Sequence, residues 1–266
     1  VKLAASPKPT LKNRFPFRVG TTSYIYPDEI LTNVVILCDK IEDIEIVLYE
    51  SDEISNYPTK REIEELAAIG KSSGLTYTVH LPLDIRLGDS DQQIRQRSVD
   101  KCIRAISSTA LLAPSAYIVH FQDLPPDHLQ AWLENLDLSV QQILDQGVAP
   151  RVLCVETLDY PFHQVEGLLQ RRDLSICLDV GHIILYNQPL EHYLQRYLPR
   201  CRVIHLHGIR GGRDHRDLGE FPTEALSLLF SHLAGTAHSR ELVVTLEIFS
   251  ERDLETSLAV LEKFWP

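Results

Sequence analysis

The chain has 266 residues, 44% hydrophobic and 24% charged, enough for one large core of ordinary globular composition. Its formal net charge of −11 argues against nucleic acid and against an anionic membrane surface as partners, since both require a basic footprint. Five cysteines without a CxxC pair do not suggest a disulfide framework, and no apolar run approaches a membrane span, so the reading is a cytoplasmic protein. Residues 1–14 lack the apolar core of a secretory signal and read as a flexible leader, with residues 15–266 as one domain.

In chain order, β-rich runs alternate with amphipathic helical stretches. The first two runs are "RVGTTSY" (18–24) and "DIEIVLYES" (43–51). A helical pattern over 59–74 places Ile63, Leu66 and Ala67 on one face and stops at Gly74. "LTYTVHLPL" (75–83) leads to a long helical stretch over 93–112, and "AYIVHFQD" (116–123) to another over 127–147. "RVLCVETLD" (151–159) and "LSICLDVGH" (174–182) precede a helix over 189–199. "RVIHLHGI" (202–209), "LVVTLEIFS" (242–250) and a helix over 251–265 complete the series. Strands alternating with helices imply parallel βαβ units, and eight of them match a (β/α)8 TIM barrel. An open doubly wound sheet is the alternative, but it usually has fewer strands and often a Gly-rich phosphate loop, which this sequence lacks.

Strand side chains alternate faces with period two. Counting along six of the runs puts His80, His120, Glu156, Asp179, His205 and Glu247 on the face opposite the large apolar residues, near the strand C-termini. That is the end where barrel active sites are built. Buried together, these carboxylates and imidazoles need a partner, and a divalent cation is the simplest. Mixed His, Asp and Glu sets suit Zn2+, Mn2+ or Fe2+. His182 follows Asp179 by three residues, and the glycine-rich "HLHGIRGGRDHRDLGEF" reads as a flexible loop bringing His207, Asp214 and His215 over the barrel mouth. Glu50 reads either as an inward strand end or as a solvated one. Arg210 and Arg213 either grip a phosphate or are solvated. Cys154 and Cys177 read as small core residues.

The set His80, His120, Glu156, "DVGH" (Asp179, His182), "HLH" (His205), "DHRDLG" (His215) and Glu247 resembles the xylose isomerase-like, AP-endonuclease-2-type TIM barrels, over roughly Phe15 to Trp265. In endonuclease IV this pattern implies three zinc ions. Carried over, His80, His120 and Glu156 would hold one, Glu156, Asp179, His205 and Glu247 the central one, and His182 and His215 the third. The endonuclease pattern has an Asp two residues before the last His, where this chain has Arg213. Asp214 or Asp217 would substitute, or the site would hold two ions. "FPFRVGTTSYIYPDEILTNV", "LYESDEISNYP", "YTVHLPLDIRLG" and "HLHGIRGGRDH" further resemble the CbiR group of cobamide-remodelling phosphodiesterases. That resemblance implies a corrinoid substrate and hydrolysis of the nucleotide-loop phosphodiester of adenosylcobamides, to adenosylcobinamide phosphate and an α-ribazole-type nucleoside.

Two ions about 3.5–4 Å apart suit such a hydrolysis. Glu156 would bridge them, and Glu156 or Glu247 would orient the attacking water. The rival reading is a sugar isomerase or epimerase, in which two carboxylates move a proton on an α-hydroxy carbonyl beside a single metal. An abasic-site endonuclease, disfavoured by the acidic charge, and a corrinoid carrier without catalysis are the remaining alternatives.

Overall fold

The computed structural model describes residues 12–50, 55–122, 124, 127–235 and 240–265. Residues 1–11, most of the leader expected from the sequence, lie outside them. Strands β1 (Arg18–Thr22), β2 (Asp43–Val47), β3 (Thr76–His80), β4 (Tyr117–Val119), β5 (Leu153–Glu156), β6 (Ser175–Asp179) and β7 (Cys201–Leu206) pair in parallel, each with the next. Two short strands follow, β8 (Gly208–Arg210) and β9 (Arg213–Arg216), and then β10 (Val243–Leu246) joins β7 to β1 and closes the eight-stranded barrel. Helices α1 (Ile30–Leu37), α2 (Lys60–Ser73), α3 (Gln92–Thr109), α4 (Leu129–Leu144), α5 (Glu166–Arg172), α6 (Val180–Leu185), α7 (Leu190–Tyr197), α8 (Thr223–Gly235) and α9 (Glu251–Phe264) fill the connections. The architecture is the (β/α)8 barrel expected from the alternation.

Local chemistry sets the helix ends. Thr59 and Glu62 form a reciprocal capping box at the start of α2, and Gly74 ends it at φ 70°, a left-handed conformation that glycine adopts without strain. Asp91 caps α3 through Gln93 N and Ile94 N, and Ser250 caps α9 through Asp253 N.

Period-two alternation divides the strand residues into two apolar layers. Ile44, Ile46, Tyr77, Val79, Val155, Leu178, Leu206 and Leu246 pack outward in the main core under the helices. Ala116, Ile118, Cys154, Cys177 and Val203 form a separate small cluster inside the barrel. At the N-terminal ends of the strands, Asp43 accepts a hydrogen bond from Thr78 Oγ1 at 2.9 Å and faces Arg18 Nη1 at 3.8 Å. Burial still pushes the Asp43 carboxyl up to about 6, against the pull of Arg18. With its floor filled in this way, the barrel has room for a site at the C-terminal strand ends. No helix among the described residues is long and apolar enough to cross a membrane.

Two local expectations need correction. The run ending at His182 is not all strand: β6 stops at Asp179, whose side chain accepts from His182 N and caps α6. A carboxylate at that position competes with the ladder for backbone donors and turns the chain into a helix. The segment after β7 is not an open loop but the β8–β9 hairpin, turned by Gly211 and Gly212 at φ 59° and 72°. Helices α1, α5, α6 and α8 have no counterpart in the sequence reading. Two of them, α5 and α6, have only seven and six residues, too short to display a helical period.

Candidate metal centre

Strands β3, β4, β5, β6, β7 and β10 each deliver one of the six expected side chains to a common point, and all six are buried. Glu156 lies at the middle. Its Oε2 is 2.9 Å from His120 Nε2, 3.3 Å from His80 Nε2 and 3.5 Å from His205 Nδ1, and its Oε1 is 3.5 Å from His182 Nδ1. Asp179 Oδ2 is 3.0 Å from His182 Nδ1, and Glu247 Oε2 is 3.2 Å from His205 Nδ1. Register explains part of the convergence, because Asp179 and His205 are neighbours across the β6–β7 ladder.

The hairpin supplies the outer part. His182 Nε2 and His215 Nε2 lie 3.6 Å and 3.8 Å from Asp214 Oδ2. Asp214 therefore stands where the sequence left a choice with Asp217. Asp217 instead uses Oδ1 to accept from Gly219 N. His215 has φ 53°, a left-handed conformation uncommon for a residue other than glycine. That backbone lets its N–H reach His207 Nδ1 at 3.1 Å while its own Nδ1 faces the Glu247 carbonyl at 3.1 Å.

Tautomers follow from these partners. A backbone carbonyl only accepts, so His80 Nδ1, 2.8 Å from Leu81 O, carries a proton, and in the neutral ring Nε2 is bare toward Glu156. His215 does the same through the Glu247 carbonyl, leaving its Nε2 bare toward Asp214. His207 Nδ1 lies between His215 N–H at 3.1 Å and the Gly208 carbonyl at 3.3 Å, and its Nε2 faces Asp179 Oδ1 at 3.2 Å. His207 thus orients Asp179. Gly181 makes room for it, since a Cβ there would come within 2.1 Å of the His207 ring.

His182 Nδ1, His205 Nδ1 and Glu247 Oε2 are buried and make no hydrogen bond among the described residues. Lone pairs aimed at carboxylates, with unpartnered buried donor atoms beside them, are what a cation or shared protons would reconcile. Without a cation, burial disfavours charge on the imidazoles, but the carboxylates outweigh it. Glu156 and neighbouring carboxylates raise His80 to about 9, and Asp179 and Glu156 raise His182 to about 10. Burial likewise opposes ionisation of Glu156 and Glu247. His120 and His205 hold Glu156 well below the usual carboxylate range, and His205 and His215 do the same for Glu247. Donor atoms within 4.8 Å of one another occur in the sets His80–His120–Glu156, Glu156–Cys177–His205, Asp179–His182–His207, His182–Asp214–His215 and His207–His215–Glu247. The donor chemistry fits a divalent metal.

The remaining residues expected at the site lie elsewhere. Glu50 is three residues past the end of β2, and its carboxylate pairs with Arg104 on α3. Strand alternation no longer sets its direction there, and its side chain is largely buried against α3. Arg210 is exposed and paired with Glu220, and Arg213 is exposed. The sequence reading missed Glu45, buried on β2 with Oε2 at 2.9 Å from His205 Nε2, and Gln122, whose Nε2 is 3.0 Å from His120 Nδ1. The alternation on β2, which puts Asp43, Glu45 and Val47 on one face, would have found Glu45. Cys177 belongs to the inner apolar cluster, as expected, and also touches the donor set.

Fold and site together define a (β/α)8 barrel with a cluster of side chains able to hold a metal ion at its C-terminal mouth. The chain matches the xylose isomerase-like TIM barrel family over residues 40–264 and belongs to that family. No match was found among curated proteins. A solved D-tagatose 3-epimerase-like protein superposes with a TM-score of 0.74 at 20% identity, over 93% of this chain and 97% of the other. The 3-keto-D-glucoside 4-epimerase YcjR from E. coli gives 0.72 at 18% identity, over 93% and 99%. Endonuclease IV from Thermus thermophilus gives 0.70 at 20%, over 92% and 99%.

These comparisons correct the expectation of a cobamide-remodelling phosphodiesterase with a corrinoid substrate. The family match is to the xylose isomerase-like barrel as a whole. Sugar epimerases and isomerases recur among the similar structures. The narrower resemblance rested on short segments around the barrel. One of them includes residues 51–54, outside the described residues, and in another Arg210 is tied to Glu220 rather than free for a phosphate.

Proposed function

We propose that the protein is a metal-dependent sugar isomerase or epimerase, acting on a small sugar or sugar phosphate. The observation that carries this reading is the convergence of Glu156, Asp179, His205 and Glu247, with both glutamates against His205 Nδ1, at 3.5 and 3.2 Å. These four residues would hold one divalent ion, Zn2+, Mn2+ or Fe2+ by their donor chemistry. The ion would polarise the carbonyl and neighbouring hydroxyl of an α-hydroxy carbonyl substrate. Glu156 and Glu247 are the catalytic residues. One carboxylate takes the proton from the carbon next to the carbonyl, and the electron pair moves onto the carbonyl oxygen as an enediolate. Return of a solvent proton to that carbon, relayed by the other glutamate on the opposite face, inverts it, while the first glutamate gives its proton to water; protonation of the neighbouring carbon isomerises instead. Tyr186 is part-exposed, and its ring lies 5.7 Å from that of His182, beside the donor cluster. An aromatic face among polar groups suits a sugar ring.

The test is incubation of metal-reconstituted protein with ketohexoses, pentuloses and their phosphates in D2O. Deuterium on the carbon next to the carbonyl, absent in Glu156→Gln and Glu247→Gln, is the expected result. No exchange with any of them, at verified metal content, would overturn it. A second reading, metal-dependent hydrolysis, rests on the outer donors. His80, His120, His182, Asp214 and His215 exceed what one ion needs, and the T. thermophilus endonuclease IV shares the barrel. Two or three Zn2+ per chain by elemental analysis would favour it.

A further inference from the structure

We propose that Glu45 is a positioning residue that selects which nitrogen of His205 faces the metal. This rests on the metal-binding reading above and goes beyond it, because Glu45 comes from the far wall of the barrel. Strand β2 is separated from β7 by β1 and β10 in the closed sheet, so the pair spans the lumen. Both side chains are fully buried.

The His205 ring lies between two groups of carboxylates. Its Nε2 is 2.9 Å from Glu45 Oε2. Its Nδ1 looks the other way, 3.2 Å from Glu247 Oε2, 3.5 Å from Glu156 Oε2 and 3.9 Å from Asp179 Oδ2. A carboxylate only accepts, so Glu45 requires the proton on Nε2. The lone pair is then on Nδ1, aimed at the three carboxylates that would share the ion. The opposite tautomer would set a bare nitrogen against Glu45 and a proton where the metal should lie. Carboxylates placed this way fix the ring and raise its basicity, and their loss typically lowers metal affinity about 10–100-fold. A purely structural buried pair would leave the metal affinity of the folded protein unchanged.

The experiment is calorimetric titration of Zn2+ into metal-free wild type, Glu45→Gln and Glu45→Ala, with 15N spectra of the histidines in the Zn2+-loaded proteins. Glu50→Gln, outside the site, controls for loss of a carboxylate. Expected are a protonated Nε2 and metal-shifted Nδ1 on His205 in the wild type. Affinity should fall about 10–100-fold in Glu45→Ala. Glu45→Gln should fall less, because its amide oxygen still accepts from Nε2–H; it also serves if the alanine variant does not fold. Folded variants that bind Zn2+ within twofold of wild type, or a His205 bound through Nε2, would overturn the Glu45 assignment alone. A wild type that takes up no Zn2+ would overturn the metal reading beneath it as well.

Discussion

The two halves of the donor cluster are built differently. Glu156, Asp179, His205 and Glu247 sit on barrel strands or immediately beyond them, buried and held by the ladder. Asp214 and His215 sit on the β8–β9 hairpin and are half-buried. His182 belongs to both, touching Asp179 and Glu156 through Nδ1 and Asp214 through Nε2. The inner donors owe their geometry to the barrel, and a strand cannot move one without breaking its pairing. The outer donors depend on a two-strand ribbon, marginal by itself, that is tied to the barrel by contacts such as His215–His207 and His215–Glu247. Rigid donors suit an ion that must stay; a hairpin at the mouth suits contact with a substrate or a more weakly held ion.

The largest break in this contrast should come from Glu156→Gln, which removes the carboxylate shared by four imidazoles. Loss of activity on the order of 10²–10⁴-fold, the usual range for an acid–base group, is expected in a deuterium-exchange assay, with metal lost by elemental analysis. Next comes pH. In the metal-free protein, His80 is raised to about 9 and His182 to about 10, against about 6.5 unfolded. Their protonated forms are therefore favoured by folding. That stabilisation is complete below about pH 6.5 and is lost as pH rises through 9 to 10. Thermal melts in chelator should fall over that window, while metal-loaded protein, its imidazoles already neutral, should be flatter there. Equal slopes would show that the cluster does not share protons this way.

Gly181→Ala tests how the two halves are joined. Its Cβ would meet the His207 ring at 2.1 Å, and overpacking of this kind costs about 1–3 kcal/mol. A lower melting temperature and weaker metal binding are expected together, because His207 orients Asp179; destabilisation with unchanged binding would remove that role. His215→Ala should cost about tenfold in metal affinity, at the low end for residues that support a site. A loss as large as that of Glu156→Gln would put the hairpin on a par with the barrel wall. Smallest is Thr59→Ala, which removes the α2 capping box far from the site, for about 1 kcal/mol of stability and no change in metal binding.

Much of this molecule was legible in the chain. The barrel and its six inward donors follow from alternation alone, because a strand fixes side-chain direction with period two and each strand end carried one polar residue among apolar ones. The same arithmetic puts Glu45 inward, yet it lies mid-strand, below the layer where barrel sites are sought. Other features had no local signature. That Asp179 ends β6 and starts α6 depends on which backbone donor its carboxylate wins. That Asp214 rather than Asp217 faces His182 depends on the twist of a hairpin whose glycines read as slack. Short segments that suggested a corrinoid substrate were misleading because loops around a shared barrel can look alike without sharing a ligand. Sequence determined which side chains point inward, since that is a property of each strand by itself. Only the closed barrel decided which of them meet, since His205 finds Glu45 across the lumen, 160 residues away, and no local pattern encodes that distance.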